Sequence, residues 1–218
     1  LMEYKNMPLS WLDFYKDGFR YVCNKLSLNI IENDIDKSFE VLKSYNPRIN
    51  PLEVDVTPKV IFSEATSHWQ GEFILSDVIN KFYESMNLTA YIYPETLDFL
   101  DKLKAEGYKI AALTDVAIGM PDELHKSYFP ELLPYFDMYV SSISCGYRKP
   151  NPKGLSDIAE NFGVVPSEMI MIGDEEKDIK TAKRFGCKSV LIYRRDKNAN
   201  FGQDYTVTDL NKLWEMMK

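Results

Sequence analysis

Up to about Leu88 the apolar residues recur mostly at helical spacing. Trp11, Tyr15, Phe19, Val22 and Leu26 follow steps of four and three, which predicts one amphipathic helix over residues 11–26. Ser10 stands where its N-cap hydroxyl belongs. Ile35, Phe39, Leu42 and Tyr45 repeat the pattern over residues 34–45, and Val78, Ile79, Phe82, Tyr83 and Met86 repeat it over 75–86. Between them, residues 46–58 carry three prolines and read as a loop.

From Pro94 onward the pattern alternates. A helix over residues 96–105 stops at Gly107. The apolar run 109–114 ends at Asp115, and apolar residues on both of its faces mark a strand buried on both sides. Strands follow at 136–141, 168–172 and 188–193, with helices at 153–162, 178–185 and 208–217. Gly163 and Gly186 close two of these helices, and Gly173 stops a strand. Such alternation predicts an α/β fold with a doubly wound parallel sheet, Rossmann-like in its winding.

Composition narrows the classes. With 45% apolar and 27% charged residues the balance is globular, and 10 Gly and 3 Cys exclude collagen-like and disulfide-scaffold chains. The net charge of −7 and the lack of a basic stripe argue against a nucleic-acid binder. An acidic protein that handles a phosphorylated substrate must gather its positive charge locally. Cys23, Cys145 and Cys187 fit no zinc or disulfide spacing and point to a reducing compartment. No run has the length of a membrane span, and residues 1–10 lack a signal-peptide pattern, so the expected location is the cytoplasm, with no membrane partner.

In a parallel sheet, ligands collect at the carboxyl ends of the strands. Thr114 and Asp115 stand at one such end, Lys149 in a loop after the next, and Asp174 and Asp178 after the third. A hydroxyl, a cation and a carboxylate pair are what phosphoryl transfer needs: hydroxyl and backbone N–H groups hold phosphate oxygens, lysine offsets charge, and carboxylates hold Mg²⁺. Gly173 permits a sharp turn that puts Asp174 at the sheet's lip, and Asp178 returns to the same side one helical turn on. Pro150 biases Lys149 to an extended conformation. Plainer roles exist for each. Thr114 could be a turn residue, Lys149 a solvated charge, Asp174 a helix N-cap, and Asp178 an orienter of Lys149 or of metal ligands. Glu175 and Glu176 read as a solvated acidic turn, Arg148 as a surface arginine with a phosphate contact as the alternative, and Arg194 and Arg195 as solvent-facing. His68 and Trp69 read as a surface histidine and a buried tryptophan, with a substrate-selecting loop as the alternative.

Three segments in order resemble the haloacid dehalogenase-like hydrolase superfamily. Residues 111–115 (Ala-Ala-Leu-Thr-Asp) resemble its second motif, and residues 146–152 (Gly-Tyr-Arg-Lys-Pro-Asn-Pro) its third, built around a lysine. Residues 172–178 (Ile-Gly-Asp-Glu-Glu-Lys-Asp), with 180–186 behind them, resemble its fourth. The resemblance implies an α-helical cap over residues 5–90 and an α/β core over 91–218. It implies a Mg²⁺-dependent phosphatase acting on a small phosphorylated metabolite. Thr114, Lys149 and Asp174 would be catalytic; Thr114, Asp115 and Lys149 would bind substrate; Asp174 and Asp178 would bind metal.

One part of the pattern has no match here. The family's first motif is a strand ending in Asp-x-Asp-x-Thr or a close variant, whose first Asp forms an aspartyl-phosphate. Leu1-Met2-Glu3-Tyr4 reads as the continuation of that motif. The core's first strand and its nucleophile are therefore expected upstream of Leu1, and the chain starting at Leu1 is expected to be inactive alone. The alternatives are a dehalogenase or phosphomutase of the same fold, or an inactive phosphate-binding homologue.

Overall fold

The computed structural model describes residues 1–6, 11–194 and 199–218. Ser10 and Arg195 lie outside the described residues. The chain opens with β1 (Met2–Lys5), which pairs antiparallel with β2 (Thr89–Ile92), Met2 opposite Ile92 and Lys5 opposite Thr89. Among the described residues, this ribbon leads into and out of four helices. They are α1 (Trp11–Lys25), α2 (Glu32–Tyr45), α3 (Pro58–Ala65) and α4 (Leu75–Glu84).

Their shared core is aromatic. α1 turns Tyr15, Phe19 and Val22 inward, α3 adds Ile61 and Phe62, and α4 adds Phe82 and Tyr83. Phe82 centres on Phe19 at 4.9 Å and Phe62 at 5.2 Å. A Cβ at Gly18 would stand 2.7 Å from the Phe82 ring, so glycine allows α1 to approach α4 this closely. Helix α3 begins where the predicted loop ends and covers residues to which the sequence pattern assigns no element; Pro58 at its first turn and the burial of Ile61, Phe62 and Ala65 make it helical.

Among the described residues, the second half holds five short parallel strands. β3 (Ala111–Thr114) pairs with β4 (Met138–Ser141), placing Thr114 beside Ser141. β5 (Ile170–Gly173), β6 (Lys188–Ile192) and β7 (Tyr205–Val207) form a second ladder in that order. Helix α5 (Thr96–Ala105) lies on one face of the strands with α10 (Leu210–Met217), burying Phe99, Leu100, Leu210 and Leu213 against Val190 and Ile192. On the other face, α8 (Lys153–Phe162) and α9 (Glu176–Phe185) bury Leu155, Ile158 and Ala182 against Val140 and Met171. The short helices α6 (Asp122–Lys126) and α7 (Ser142–Cys145) follow β3 and β4. The result is the predicted α/β architecture with helices on both faces.

The parallel strands do not form one continuous ladder. Among the described residues no strand pairs with the inner edge of β3 or of β5. Every residue of β3 is partly exposed, and Ile170 of β5 is 45% exposed, unlike the buried interior of β6. No helix among the described residues is long and apolar enough to cross a membrane.

Candidate active site

The carboxyl ends of β3 and β5 face this interruption, and the polar side chains gather there. Lys149 lies in the loop before α8, held in three directions. Its ammonium donates to Asp178 Oδ1 at 2.6 Å and to the Leu113 carbonyl of β3 at 3.4 Å. Its backbone N–H donates to Asp115 Oδ1 at 3.0 Å. The Lys149–Asp178 pair is buried, with side chains 11% and 4% exposed.

Asp178 sits in the first turn of α9, where unpaired amides and the helix dipole favour a carboxylate. Its Oδ2 accepts from the backbone N–H groups of Asp174 at 3.1 Å and Glu175 at 3.0 Å. Both oxygens are thus occupied, one by lysine and one by amides. Gly173 makes the arrangement sterically feasible: a Cβ there would stand 2.4 Å from the Asp178 carboxylate.

Asp115 is equally committed. One oxygen holds the Lys149 amide, and the other pairs with Lys177 of α9 at 3.1 Å. Lys177 also pairs with Glu175 at 2.7 Å, so this ammonium ties the end of β3 to the start of α9. Burial lowers the Lys177 pKa, but Asp115 and Glu175 outweigh it and hold the ammonium above its ordinary value.

Thr114 and Asp174 differ from these residues in having free side chains. Neither the Thr114 hydroxyl nor the Asp174 carboxylate has a hydrogen-bond partner among the described residues. Asp174 is solvent-exposed yet crowded by protein on its other sides. That crowding, with the negative Asp178 and Glu175 nearby, raises its pKa against the weaker pull of Lys149. The backbone nitrogen of Leu1 lies within electrostatic reach of Asp174, and the Leu1 carbonyl accepts from Thr96 Oγ1 at 2.7 Å. The first residue of the chain thus adjoins the site.

Among the described residues no three His, Cys, Asp or Glu side chains gather as a metal cage. Mg²⁺ seldom uses one; it takes one or two carboxylates and completes its shell with water and substrate phosphate. The free, negatively crowded Asp174 suits that demand, and Asp178 is already engaged.

Several plainer expectations need correction. Arg148 is not a surface residue: it is 6% exposed and contacts Asp55 and the Val116 carbonyl, each at 2.9 Å. Arg194 does not face solvent freely: it pairs with Glu95 at 2.5 Å and lies 3.7 Å over the Tyr93 ring. His68 is not a free surface histidine, since it donates to the Asp34 carbonyl at 2.7 Å; Trp69 is buried as expected and donates to Ser38 Oγ at 2.9 Å, so both fasten their loop to α2. The sequence reading missed Lys177 and Asp55. Lys177 carries a faint signal, a lone cation inside an acidic turn; Asp55 carries none, because its partner is 93 positions away (148 minus 55).

A family model described as haloacid dehalogenase-like hydrolase matches residues 20–186. The phosphoglycolate phosphatase of Salmonella typhi is 29% identical over 144 residues, which cover 65% of this chain and 55% of the relative. The chain thus spans little more than half the length of such curated relatives. The solved HAD phosphatase from Thermococcus onnurineus superposes with a TM-score of 0.64 at 21% identity, covering 98% of this chain and 92% of that one. The 2-haloacid dehalogenase of Pseudomonas syringae pv. Tomato DC3000 superposes with a TM-score of 0.65 at 15% identity, covering 96% and 91%. At these identities the two structures speak for the fold alone.

Proposed function

The chain belongs to the haloacid dehalogenase-like hydrolase family, and on that premise we propose that it forms most of a Mg²⁺-dependent phosphatase for a small phosphorylated metabolite. One observation carries this reading: the buried Lys149–Asp178 pair stands beside a free hydroxyl at Thr114 and a free carboxylate at Asp174. Phosphate is an anion with several oxygens to satisfy, and this site offers a cation, a hydroxyl and strand-end amides to hold them.

In this reading Thr114 Oγ1 donates to a phosphate oxygen, and Lys149 offsets charge on the phosphate and the nucleophile. Asp178 is a positioning residue that holds Lys149. Asp115 fixes the Lys149 backbone, and its own N–H faces the phosphate. Asp174 would hold Mg²⁺, which when bound supplies charge neutralisation at phosphate oxygens. An aspartate upstream of Leu1 attacks phosphorus, forming an acyl phosphate as the P–O bond to the leaving group breaks. A second upstream aspartate protonates the leaving oxygen, then takes a proton from the water that hydrolyses the acyl phosphate. Among the described residues, the unpaired inner edges of β3 and β5 support an upstream strand. The four helices between β1 and β2 act as a cap that closes over the site and excludes water.

The relatives named as phosphoglycolate phosphatases make phosphoglycolate the first substrate to try. The free Asp174 favours this chemistry over dehalogenation, which needs no metal. Three free cysteines suit a cytoplasmic protein. The test is acid quenching of the full-length protein during turnover. One phosphoryl group, labile to alkali and located on an aspartate upstream of Leu1, is expected. Label on another residue, or turnover with no label, would contradict the mechanism.

A further inference from the structure

The loop that carries Lys149 is gripped by a strap from the helical half. Val54, between α2 and α3, forms an antiparallel bridge with Tyr147. The Asp55 amide donates to the Gly146 carbonyl and the Arg148 amide to the Glu53 carbonyl, each at 2.9 Å. Beneath this bridge, Arg148 Nη2 lies 2.9 Å from Asp55 Oδ2, with side chains 7% and 1% exposed. The same nitrogen donates to the Val116 carbonyl at 2.9 Å, two residues beyond Thr114. Asp55 Oδ2 has no properly aligned hydrogen bond, so charge holds the pair together. Outside the bridge, Glu53 pairs at 2.6 Å with Arg184 of α9, the helix that begins at Asp178's turn. One three-residue strap therefore touches the lysine loop and α9, and its partner Arg148 carries the connection on to the loop after β3.

A loop's backbone is ordinarily soft, and a hydrogen-bonded lysine tip does not by itself fix it. Here the residue adjoining Lys149 is locked by a buried charge pair whose other half belongs to the helical segment. Buried ion pairs contribute little net stability compared with apolar packing, but breaking one leaves an unpaired buried charge. The pair is thus a poor stabiliser and a strong constraint on register.

We propose that the 53–55 strap is a positioning element for Lys149, keyed by Asp55–Arg148, so that seating of the helical half and placement of the lysine are one event. The proposal rests on the phosphatase reading for its catalytic consequence, while the coupling itself is readable without activity. The test uses the full-length protein with Asp55→Asn and, on the exposed outer pair, Glu53→Gln. Amide hydrogen exchange is followed at residues 146–149, with α10 as internal reference, and kcat and KM are measured for a phosphate ester. Asp55→Asn is expected to speed exchange at 146–149 roughly a hundredfold, the scale of an unpaired buried charge, and to leave α10 protected. It should lower kcat by about tenfold or more, with a smaller change in KM. Glu53→Gln, which keeps the buried pair, should speed the same amides about threefold, the size of an exposed pair, and it decides the matter if Asp55→Asn does not fold. Unchanged exchange at 146–149 overturns the coupling, as does acceleration spread equally over α10. A wild-type protein that hydrolyses no phosphate ester, but whose variants show the localised exchange, would overturn the phosphatase reading and leave the coupling standing.

Discussion

Gly173→Ala tests the site's packing without reference to activity. The added methyl would meet the Asp178 Cβ, Cγ and Oδ2, each at 2.4 Å. The Cβ is the root of that side chain, so no rotamer moves it away, and the first turn of α9 must shift. That shift pulls Asp178 from the Asp174 and Glu175 amides, now 3.1 and 3.0 Å away. Hydrogen bonds to a charged group contribute about 1.5–3 kcal/mol each, so losing two at the low end costs about 3 kcal/mol. For a chain of this size that lowers Tm by roughly 6–12 °C. Gly154→Ala supplies the control. Its methyl would meet Leu113 Cδ1, also at 2.4 Å, but that atom is the far end of a flexible side chain on a partly exposed strand. A helix gains roughly 0.5–1 kcal/mol from Gly→Ala, so this variant should be near neutral. Thermal and urea unfolding measure both. If Gly173→Ala unfolds within about 0.5 kcal/mol of wild type, the close approach of Gly173 to Asp178 is not a structural constraint.

Further outcomes follow from other named contacts. His125 is buried and its pKa is lowered to about 4 by desolvation, so it folds as the neutral ring, sharing a 2.7 Å hydrogen bond with Tyr139. Its contribution is complete above pH 6.5 and is lost as the pH falls through 4, an upper bound of about 3 kcal/mol. Denaturant titrations at pH 7 and pH 4 should therefore show a smaller drop in His125→Gln than in wild type, and equal drops would refute the assignment. Ser38 donates to the Ala65 carbonyl at 2.6 Å and accepts from Trp69 at 2.9 Å, wholly buried. Ser38→Ala should destabilise by about 2–4 kcal/mol, seen as a lower urea midpoint with unchanged slope. Lys149→Met keeps the stem but removes the charge, and should cut kcat/KM for phosphate esters by about 10²–10³ in the full-length protein.

Legibility in the sequence followed the range of the interaction. Gly163 and Gly186 adopt left-handed conformations that end α8 and α9, a local requirement that a single residue announces. The spacing from Gly173 to Asp178 likewise encodes a tight turn from strand into helix, so their proximity could be read along the chain. It could not reveal whether Asp178 would face a metal or Lys149, because Lys149 arrives from 29 positions away (178 minus 149). The ribbon of β1 and β2 left no pattern, since four-residue strands are too short to show alternation and their pairing joins opposite ends of the helical segment. Arg148 defeated its composition-based reading for a similar reason: arginine is ordinarily exposed, and only Asp55 makes its burial tolerable.

The central claim is that Lys149, Thr114 and Asp174 form a phosphoryl-transfer site. Inorganic phosphate release from phosphoglycolate by the full-length protein tests it most directly, with and without Mg²⁺, in wild type and Asp174→Asn. Turnover that requires Mg²⁺ and falls by about a hundredfold or more in Asp174→Asn is expected. Turnover indifferent to both the metal and Asp174 would contradict it.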